Sequence, residues 1–443
     1  MPILTARRRT FAFASWVLIA SLSLASCSTF NRLTGSPGET QKRPAPVASK
    51  PAPVTIQRPA QPVEPPSSNQ VDQAPLTVVA PPAQDQPVKA ALLLPLSGPL
   101  AKLGSAMSEA AQMAMFDLAD RRFQLVPIDD GGTPAGAAEA AKQAVAQGAQ
   151  IILGPLLAAS VRSAGAVAAE SGIPVVAFSS DRNVASPGIY IIGFTPEGEV
   201  ERVVDHAASS GRTRFAALAP DNAYGAVVVE ALHKAVAANG GAVVKVELYD
   251  PKTQDFAPVV RRLLGAPDPP TAGAAANGAV PPSLTSFDAV LMAEGGPQLR
   301  AMAAALSAAG IGPPATQFLG TGKWDEPGIG TETSLIGAWF AGPVPSYRDD
   351  LEARYKRMFR QAPPRLATLA YDATALATVL ARGPQQTPFS PEALTNPNGF
   401  FGRDGLFRLT SNGVVERRLA ILRVDRSGVV VIDEPPRSFA AGS

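Results

Sequence analysis

Apolar and polar positions along the chain from Val88 onward predict strands that alternate with helices. Residues 88–94 form an apolar run that ends before Pro95, as expected of a parallel strand buried on both faces. Apolar residues then recur every three or four positions from Leu103 to Leu118, which predicts an amphipathic helix. The pattern continues with strands over 123–128, 151–153 and 174–178 and helices over 134–147, capped by Thr133, and 158–171.

A second series of the same kind begins near Glu197. It predicts strands over 215–218, 243–249, 287–292 and 317–319, with helices after Asn222, near 256–264 and over 299–306; helices over 347–359 and 366–380 and strands over 405–409, 416–424 and 429–432 follow. The Ala/Gly/Pro-rich residues 265–286 are predicted to be a surface insertion. Repeated strand–helix units predict an α/β fold, and two series predict two doubly wound parallel-sheet lobes around a cleft.

The amino-terminal segment has the pattern of an export signal followed by a tether. Three arginines precede an apolar run that ends in Leu24-Ala25-Ser26-Cys27. This ending resembles the lipobox of bacterial lipoproteins, which implies that residues 1–26 are a signal peptide and that Cys27 is acylated and anchors the protein in a membrane. Between residues 36 and 87 there are 13 prolines, which disfavour helix and sheet, so residues 27–87 are predicted to be the lipid anchor and a disordered linker.

Composition narrows the classes of function. The chain has 443 residues, of which 46% are hydrophobic, enough to form two cores. Its 39 basic and 37 acidic residues leave a net charge of +2, which disfavours nucleic-acid binding. A single cysteine and two histidines exclude an internal disulfide and leave little for a metal cluster. We therefore expect no metal and no cofactor, and the lack of a nucleophile–base motif disfavours an enzyme.

Several short motifs after the tether resemble the type I periplasmic binding proteins of the leucine/isoleucine/valine-binding kind. In chain order they are Leu94-Pro95-Leu96-Ser97-Gly98-Pro99, Asp129-Asp130, Ile152-Leu153-Gly154-Pro155, Gly172-Ile173-Pro174, Asp221 with Tyr224-Gly225, and Asp255-Phe256. The resemblance implies a binding domain over 88–434 with three crossovers between lobes. It places the first lobe at about 88–196 plus 344–385 and the second at about 197–343 plus 386–434.

The resemblance also implies which residues line a ligand cleft. The candidates are Ser97, Ser160, Ser179, Ser180, Tyr224, Glu294 and Trp324. The pattern of amino-acid receptors is incomplete, because Ala158 and Ala159 stand where such receptors have hydroxyl groups. Only Asp325, displaced along the chain, is available as a carboxylate for a ligand ammonium group.

Two functions remain open on this basis. A lipobox, a proline-rich tether and an incomplete cleft together resemble the lipoproteins that activate penicillin-binding proteins, which implies a peptidoglycan synthase as partner and an outer-membrane anchor facing the periplasm. The alternative is the substrate-binding lipoprotein of an ABC importer, with a branched-chain amino acid or a related small solute as ligand. Neither function involves catalysis by this chain.

Overall fold

The first lobe follows the predicted alternation closely. The computed structural model describes residues 87–118, 120–265, 286–383 and 387–440. Its first elements are β1 (Val88–Leu94), α1 (Ala101–Leu118), β2 (Phe123–Asp129), α2 (Pro134–Ala146), β3 (Ile151–Leu153), α3 (Ala158–Glu170), β4 (Val175–Ala177) and β5 (Ile189–Ile191). These strands form a parallel five-stranded sheet in the order β2-β1-β3-β4-β5. The sequence pattern did not predict β5, which has only three residues.

The second lobe is built on a larger sheet. Its elements up to residue 342 are α4 (Pro196–Ser209), β6 (Arg214–Pro220), α5 (Ala223–Ala238), β7 (Ala242–Tyr249), α6 (Ala257–Leu263), β8 (Ala289–Met292), α7 (Gly296–Ala308), β9 (Gln317–Gly320) and β10 (Trp339–Gly342). The sequence pattern did not predict β10. The sheet has seven strands in the order β15-β14-β10-β9-β8-β6-β7, and the first two in this order come from the end of the chain.

The carboxy-terminal part returns to both lobes. It contains α8 (Asp349–Phe359), α9 (Ala367–Leu380), α10 (Pro391–Leu394), β11 (Phe400–Gly402), β12 (Gly405–Leu409), β13 (Val415–Arg417), β14 (Ala420–Asp425) and β15 (Gly428–Asp433). Helix α9 packs along α1 of the first lobe. Strands β14 and β15 extend the second sheet next to β10. The strand predicted over 416–424 is two strands, because Arg418 and Leu419 separate β13 from β14.

The predicted lobe boundary differs from the structure near the end of the chain. The family resemblance places residues 386–434 in the second lobe, but Phe389, Leu394, Phe407, Leu409 and Val415 are buried in the core of the first lobe. Strands β11, β12 and β13 form a separate antiparallel three-stranded sheet. Burying the apolar side chains of this small sheet against the first lobe removes their surface from water, which explains the placement.

The predicted signal peptide, tether and Cys27 lie outside the described residues, and so do residues 266–285 of the predicted insertion. Within the ranges that the structure describes, no helix combines the length and hydropathy needed to cross a bilayer.

Two threonines that precede prolines allow a matched test of helix capping. The Thr133 hydroxyl accepts a hydrogen bond from the backbone N–H of Gly136 at 3.0 Å, whereas the Thr195 side chain makes no such bond to α4. We expect Thr133→Ala to lower the free energy of unfolding by about 1 kcal/mol, and Thr195→Ala to change it by less. Urea denaturation of both variants checks this, and an equal loss would contradict the capping role of Thr133.

Candidate functional site

The candidate ligand residues lie on loops that follow the parallel strands of both sheets. We call these the cleft loops: the segments after β1, β3 and β4 in the first lobe and after β6, β8 and β9 in the second. The chain passes between the lobes near residues 192–195, 343–348 and 418–419. Loops at the carboxyl ends of parallel strands are the usual ligand sites of α/β folds.

In the first lobe, Ser97 is exposed and the donors around it bind a carboxylate of the chain itself. One oxygen of Asp129, Oδ1, accepts the backbone N–H groups of Leu96 at 2.8 Å, Ser97 at 3.2 Å and Gly131 at 2.8 Å. Partial burial opposes ionisation of Asp129, but the bond from the Ser97 hydroxyl and these backbone bonds outweigh it and hold the pKa of Asp129 below its ordinary value. The donors of this loop are therefore used internally.

The other three serine candidates have different environments. Ser160, in the first turn of α3, is fully buried, and its hydroxyl has no hydrogen-bond partner among the residues that the structure describes. Ser179 is buried as well, and its hydroxyl accepts the N–H of Asp181 at 3.1 Å. Ser180 is exposed. Of the serines, Ser160 alone combines full burial with an uncommitted hydroxyl in the part of the chain described.

In the second lobe, two of the candidates meet around a lysine. The Tyr224 hydroxyl lies 2.9 Å from that of Thr321, and the Glu294 carboxylate accepts a hydrogen bond from the Tyr249 hydroxyl at 3.2 Å. The Lys323 ammonium lies 3.1 Å from Glu294 Oε1 and 4.2 Å from the centre of the Tyr224 ring. The sequence alone indicates no role for Lys323, because its two contacts, Glu294 and Tyr224, come from cleft loops other than its own.

Two residues proposed from the sequence are committed elsewhere. Trp324 does not line the cleft: its side chain is fully buried in the core of the second lobe, and its indole N–H donates to the Glu294 carbonyl at 3.0 Å. Asp325 does not offer a free carboxylate to a ligand, because Arg348 and Arg365 bind it at 2.6 and 2.8 Å. Both side chains are therefore held by contacts within the protein.

Asp325 belongs to a buried group of charges that the sequence did not predict. We call it the arginine–aspartate cluster; its members are Asp325, Arg348, Arg365, Asp372, Asp404 and Arg417. Arg365 joins Asp325, after β9 of the second lobe, to Asp404, between β11 and β12, at 2.8 Å each. The Arg417 guanidinium donates to the Ile192 carbonyl and lies over the rings of Phe194 and Phe407. The cluster thus joins segments of both lobes near the crossovers.

Burial changes the protonation of two carboxyl groups near these arginines. Asp372 accepts the N–H of Arg403 at 2.7 Å. Burial raises the pKa of Asp372, and the nearby Asp404 carboxylate acts in the same direction with a smaller effect. Glu199, in the first turn of α4, is buried, and desolvation raises its pKa to about 7 despite a bond from the Gly322 backbone. No local sequence motif indicated either shift, since both depend on residues distant in the chain.

A surface cavity of about 350 Å³ lies along α4 and α5 and reaches the segment that follows β4. Its lining includes Arg182, Glu197, Glu201, Glu230 and Lys234. Within the described ranges it is bordered mostly by charged side chains on helix surfaces, unlike the mostly apolar lining of a small-molecule pocket.

The family model described as periplasmic binding protein matches residues 87–428 of the chain. This chain belongs to the periplasmic binding protein family. The match covers the five-stranded sheet and six of the seven strands of the larger sheet, so the fold predicted from the sequence motifs is confirmed.

Solved structures of other proteins have the same fold as this chain. A protein from Rhodospirillum rubrum, described as a branched-chain amino acid ABC transporter, is similar with a TM-score of 0.67 and 20% identity, over 78% of this chain and 100% of that one. The leucine-, isoleucine-, valine-, threonine- and alanine-binding protein from Brucella ovis gives a TM-score of 0.61 and 17% identity, over 80% and 95% of the two chains. At these identities the similarity shows the fold alone.

A curated relative carries a different description. The penicillin-binding protein activator LpoA of Vibrio cholerae serotype O1 is 29% identical over 174 residues. That alignment covers 38% of this chain and 28% of the relative, so the chain spans little more than a quarter of the length of this relative. The names of these relatives describe binding or activator proteins.

Proposed function

We propose that this protein is an envelope lipoprotein that activates or regulates a penicillin-binding protein. The observation that carries the proposal is the internal pairing of the cleft loops. Asp129 uses the donors around Ser97, and Lys323 binds Glu294 and the Tyr224 ring. Polar groups that already have partners within the chain gain little free energy by binding a polar solute, because a new hydrogen bond would replace an existing one.

The similarity to LpoA supports a synthase partner for this chain. The partner is a proposal, because the aligned part is a minority of the relative. The two lobes offer a folded surface for such a partner, and the proposed tether would carry that surface away from the membrane. At roughly 3.1 Å per residue for an extended proline-rich chain, the segment from 36 to 87 would reach at most about 160 Å.

The proposed partner is tested by capture. The full-length tagged protein, extracted in mild detergent, is expected to bring down a penicillin-binding protein and to raise the rate of glycan polymerisation or crosslinking by that purified enzyme. Retention of no such synthase, together with no change in either rate, would contradict the proposal. The same domain denatured and blocked on the resin is the matched control for unspecific adsorption.

The proposed anchor is tested by changing its thiol. We expect Cys27→Ser to move the protein from the outer-membrane fraction to the soluble periplasmic fraction, because several acyl chains at about 0.8 kcal/mol per buried methylene hold the parent protein. Fractionation and mass spectrometry of the amino-terminal peptide check this. A Ser28→Ala variant keeps the thiol and is expected to stay membrane-bound; unmodified Cys27 in the parent protein would contradict the anchor.

The second candidate function is that of a substrate-binding lipoprotein of an ABC importer for a small solute. Ser160 favours it, because a buried hydroxyl without a partner among the described residues is suited to a ligand. Thermal-shift screening of amino acids, amides and small carboxylic acids is expected to find a stabilising ligand under this function, with the effect reduced in Ser160→Ala and kept in Ser180→Ala. No stabilisation across the panel would exclude it for these solute classes.

A further inference from the structure

We infer that Lys323 is an internal cation that fills a cation site on the second lobe and keeps ligands with a primary ammonium group out of the cleft. The site lies among the cleft loops after β6, β8 and β9.

The walls of this site are held by contacts that do not involve the lysine. Glu294 is fixed by the Tyr249 hydroxyl, 3.2 Å from Oε2, and by the Gly295 backbone N–H, 3.1 Å from Oε1. The Tyr224 ring is fixed by its hydroxyl bond to Thr321, a fully buried residue. A carboxylate and an aromatic face that are both held in place form a cation site independently of what fills it.

The lysine satisfies both walls at once. Its ammonium group pairs with Glu294 Oε1 at 3.1 Å and lies 4.2 Å from the centre of the Tyr224 ring. The first contact is a charge-assisted hydrogen bond and the second a cation–π interaction. The Glu294 side chain is 16% exposed, so its carboxylate is largely removed from solvent and Lys323 is its cationic partner in the described part of the chain.

The backbone of Lys323 is held beside Glu294, which separates this contact from a chance surface pair. The neighbouring Trp324 is fully buried and donates its indole N–H to the Glu294 carbonyl at 3.0 Å. A Cβ atom on Gly295 would lie 2.9 Å from the Lys323 carbonyl oxygen, so the two loops are in close contact. The anchored backbone gives the lysine ammonium a high effective concentration at the site.

An external ammonium group must therefore displace one that is attached to the protein. Neutral and anionic ligands meet no such competition. Lys323 occupies only the groups that would bind a cation, namely the Glu294 carboxylate and the Tyr224 ring. Any solute taken into the cleft should thus lack an ammonium group. Lys323 excludes ammonium groups in this way whether or not a synthase docks on the domain.

The test removes the lysine side chain, which leaves the cation site empty, and then offers the site a small amine. Thermal unfolding of the full-length protein is measured with propylammonium chloride and with sodium chloride at equal concentration. In Lys323→Ala, propylammonium is expected to raise the midpoint by several degrees more than sodium, with a dependence on concentration that fits one site. The parent protein and Lys252→Ala, a change of an exposed lysine in the same lobe, should respond equally to both salts.

A second substitution identifies the site. Adding Glu294→Gln to Lys323→Ala should abolish the difference between the two salts, because the carboxylate of the site is gone. Equal responses in folded Lys323→Ala, or a propylammonium effect of the same size in the parent protein, would overturn the inference. If Lys323→Ala fails to fold, Lys323→Ser is measured in the same way. Because synthase capture is not the readout, failure here leaves the proposed function standing.

Discussion

Replacing Asp325 with asparagine is expected to lower the free energy of unfolding by about 3 kcal/mol, because it removes a buried carboxylate shared by two arginines. Each arginine keeps one other carboxylate, Glu352 for Arg348 and Asp404 for Arg365, which holds the loss to this size. Asp325 is bound by Arg348 at 2.6 Å and by Arg365 at 2.8 Å, and its side chain is 7% exposed. Asparagine has nearly the same volume, so the loss reports the missing charge rather than a cavity. Chemical denaturation of the variant and the parent protein measures it.

The control for this prediction removes the other carboxylate that binds Arg348. Glu352 pairs with Arg348 at 2.8 Å, but its side chain is 46% exposed. Glu352→Gln is therefore expected to change the free energy of unfolding by less than about 1 kcal/mol. Similar losses in the two variants would contradict the claim that the arginine–aspartate cluster holds the lobes together through Asp325.

Stability is expected to fall as the pH rises from 5 to 8, and Glu199 should account for a large part of the change. Burial raises the pKa of Glu199 to about 7 from an ordinary value of 4.5. Between these two values the folded protein keeps a proton that the unfolded chain releases, so raising the pH favours unfolding. The full difference corresponds to roughly 3 kcal/mol. Burial of Asp372 acts in the same direction.

Glutamine at position 199 isolates this contribution. It resembles the protonated acid and keeps an oxygen for the Gly322 backbone, so Glu199→Gln should match the parent protein near pH 5 and exceed its stability near pH 8. Urea denaturation at both pH values measures the difference. Glu201→Gln, an exposed change on the same helix, is the control. Equal pH dependence in the two variants would show that Glu199 does not hold its proton in the folded state.

If Asp325 and Lys323 act as inferred, they explain why this domain resembles a solute receptor in fold and differs from one in its cleft. Asp325 joins segments of both lobes through Arg365 and Asp404, and Lys323 occupies the acceptors of the second lobe. A cleft restrained in this way is suited to present a fixed surface to a protein partner, which is the role that we propose.

Local pattern was sufficient for most of the elements. Strand β3 coincides with the predicted residues 151–153, and α2 begins at Pro134 behind the predicted Thr133 cap. Such elements depend on hydrophobic period and capping, which are properties of neighbouring residues. The short strands β5 and β10 were not predicted. Strand β3 is equally short, but the predicted helix end at Gly148 marks where it begins.

The sequence by itself established the α/β class, the family motifs and the positions of several cleft loops, because each depends on residues close together in the chain. It did not establish that Trp324 is buried, that Asp325 is bound by two arginines, or that Lys323 lies against Tyr224 and Glu294. Those facts depend on residues separated by tens of positions. Folding brings them together, and only then do their charges, desolvation and hydrogen bonds determine what the cleft is able to bind.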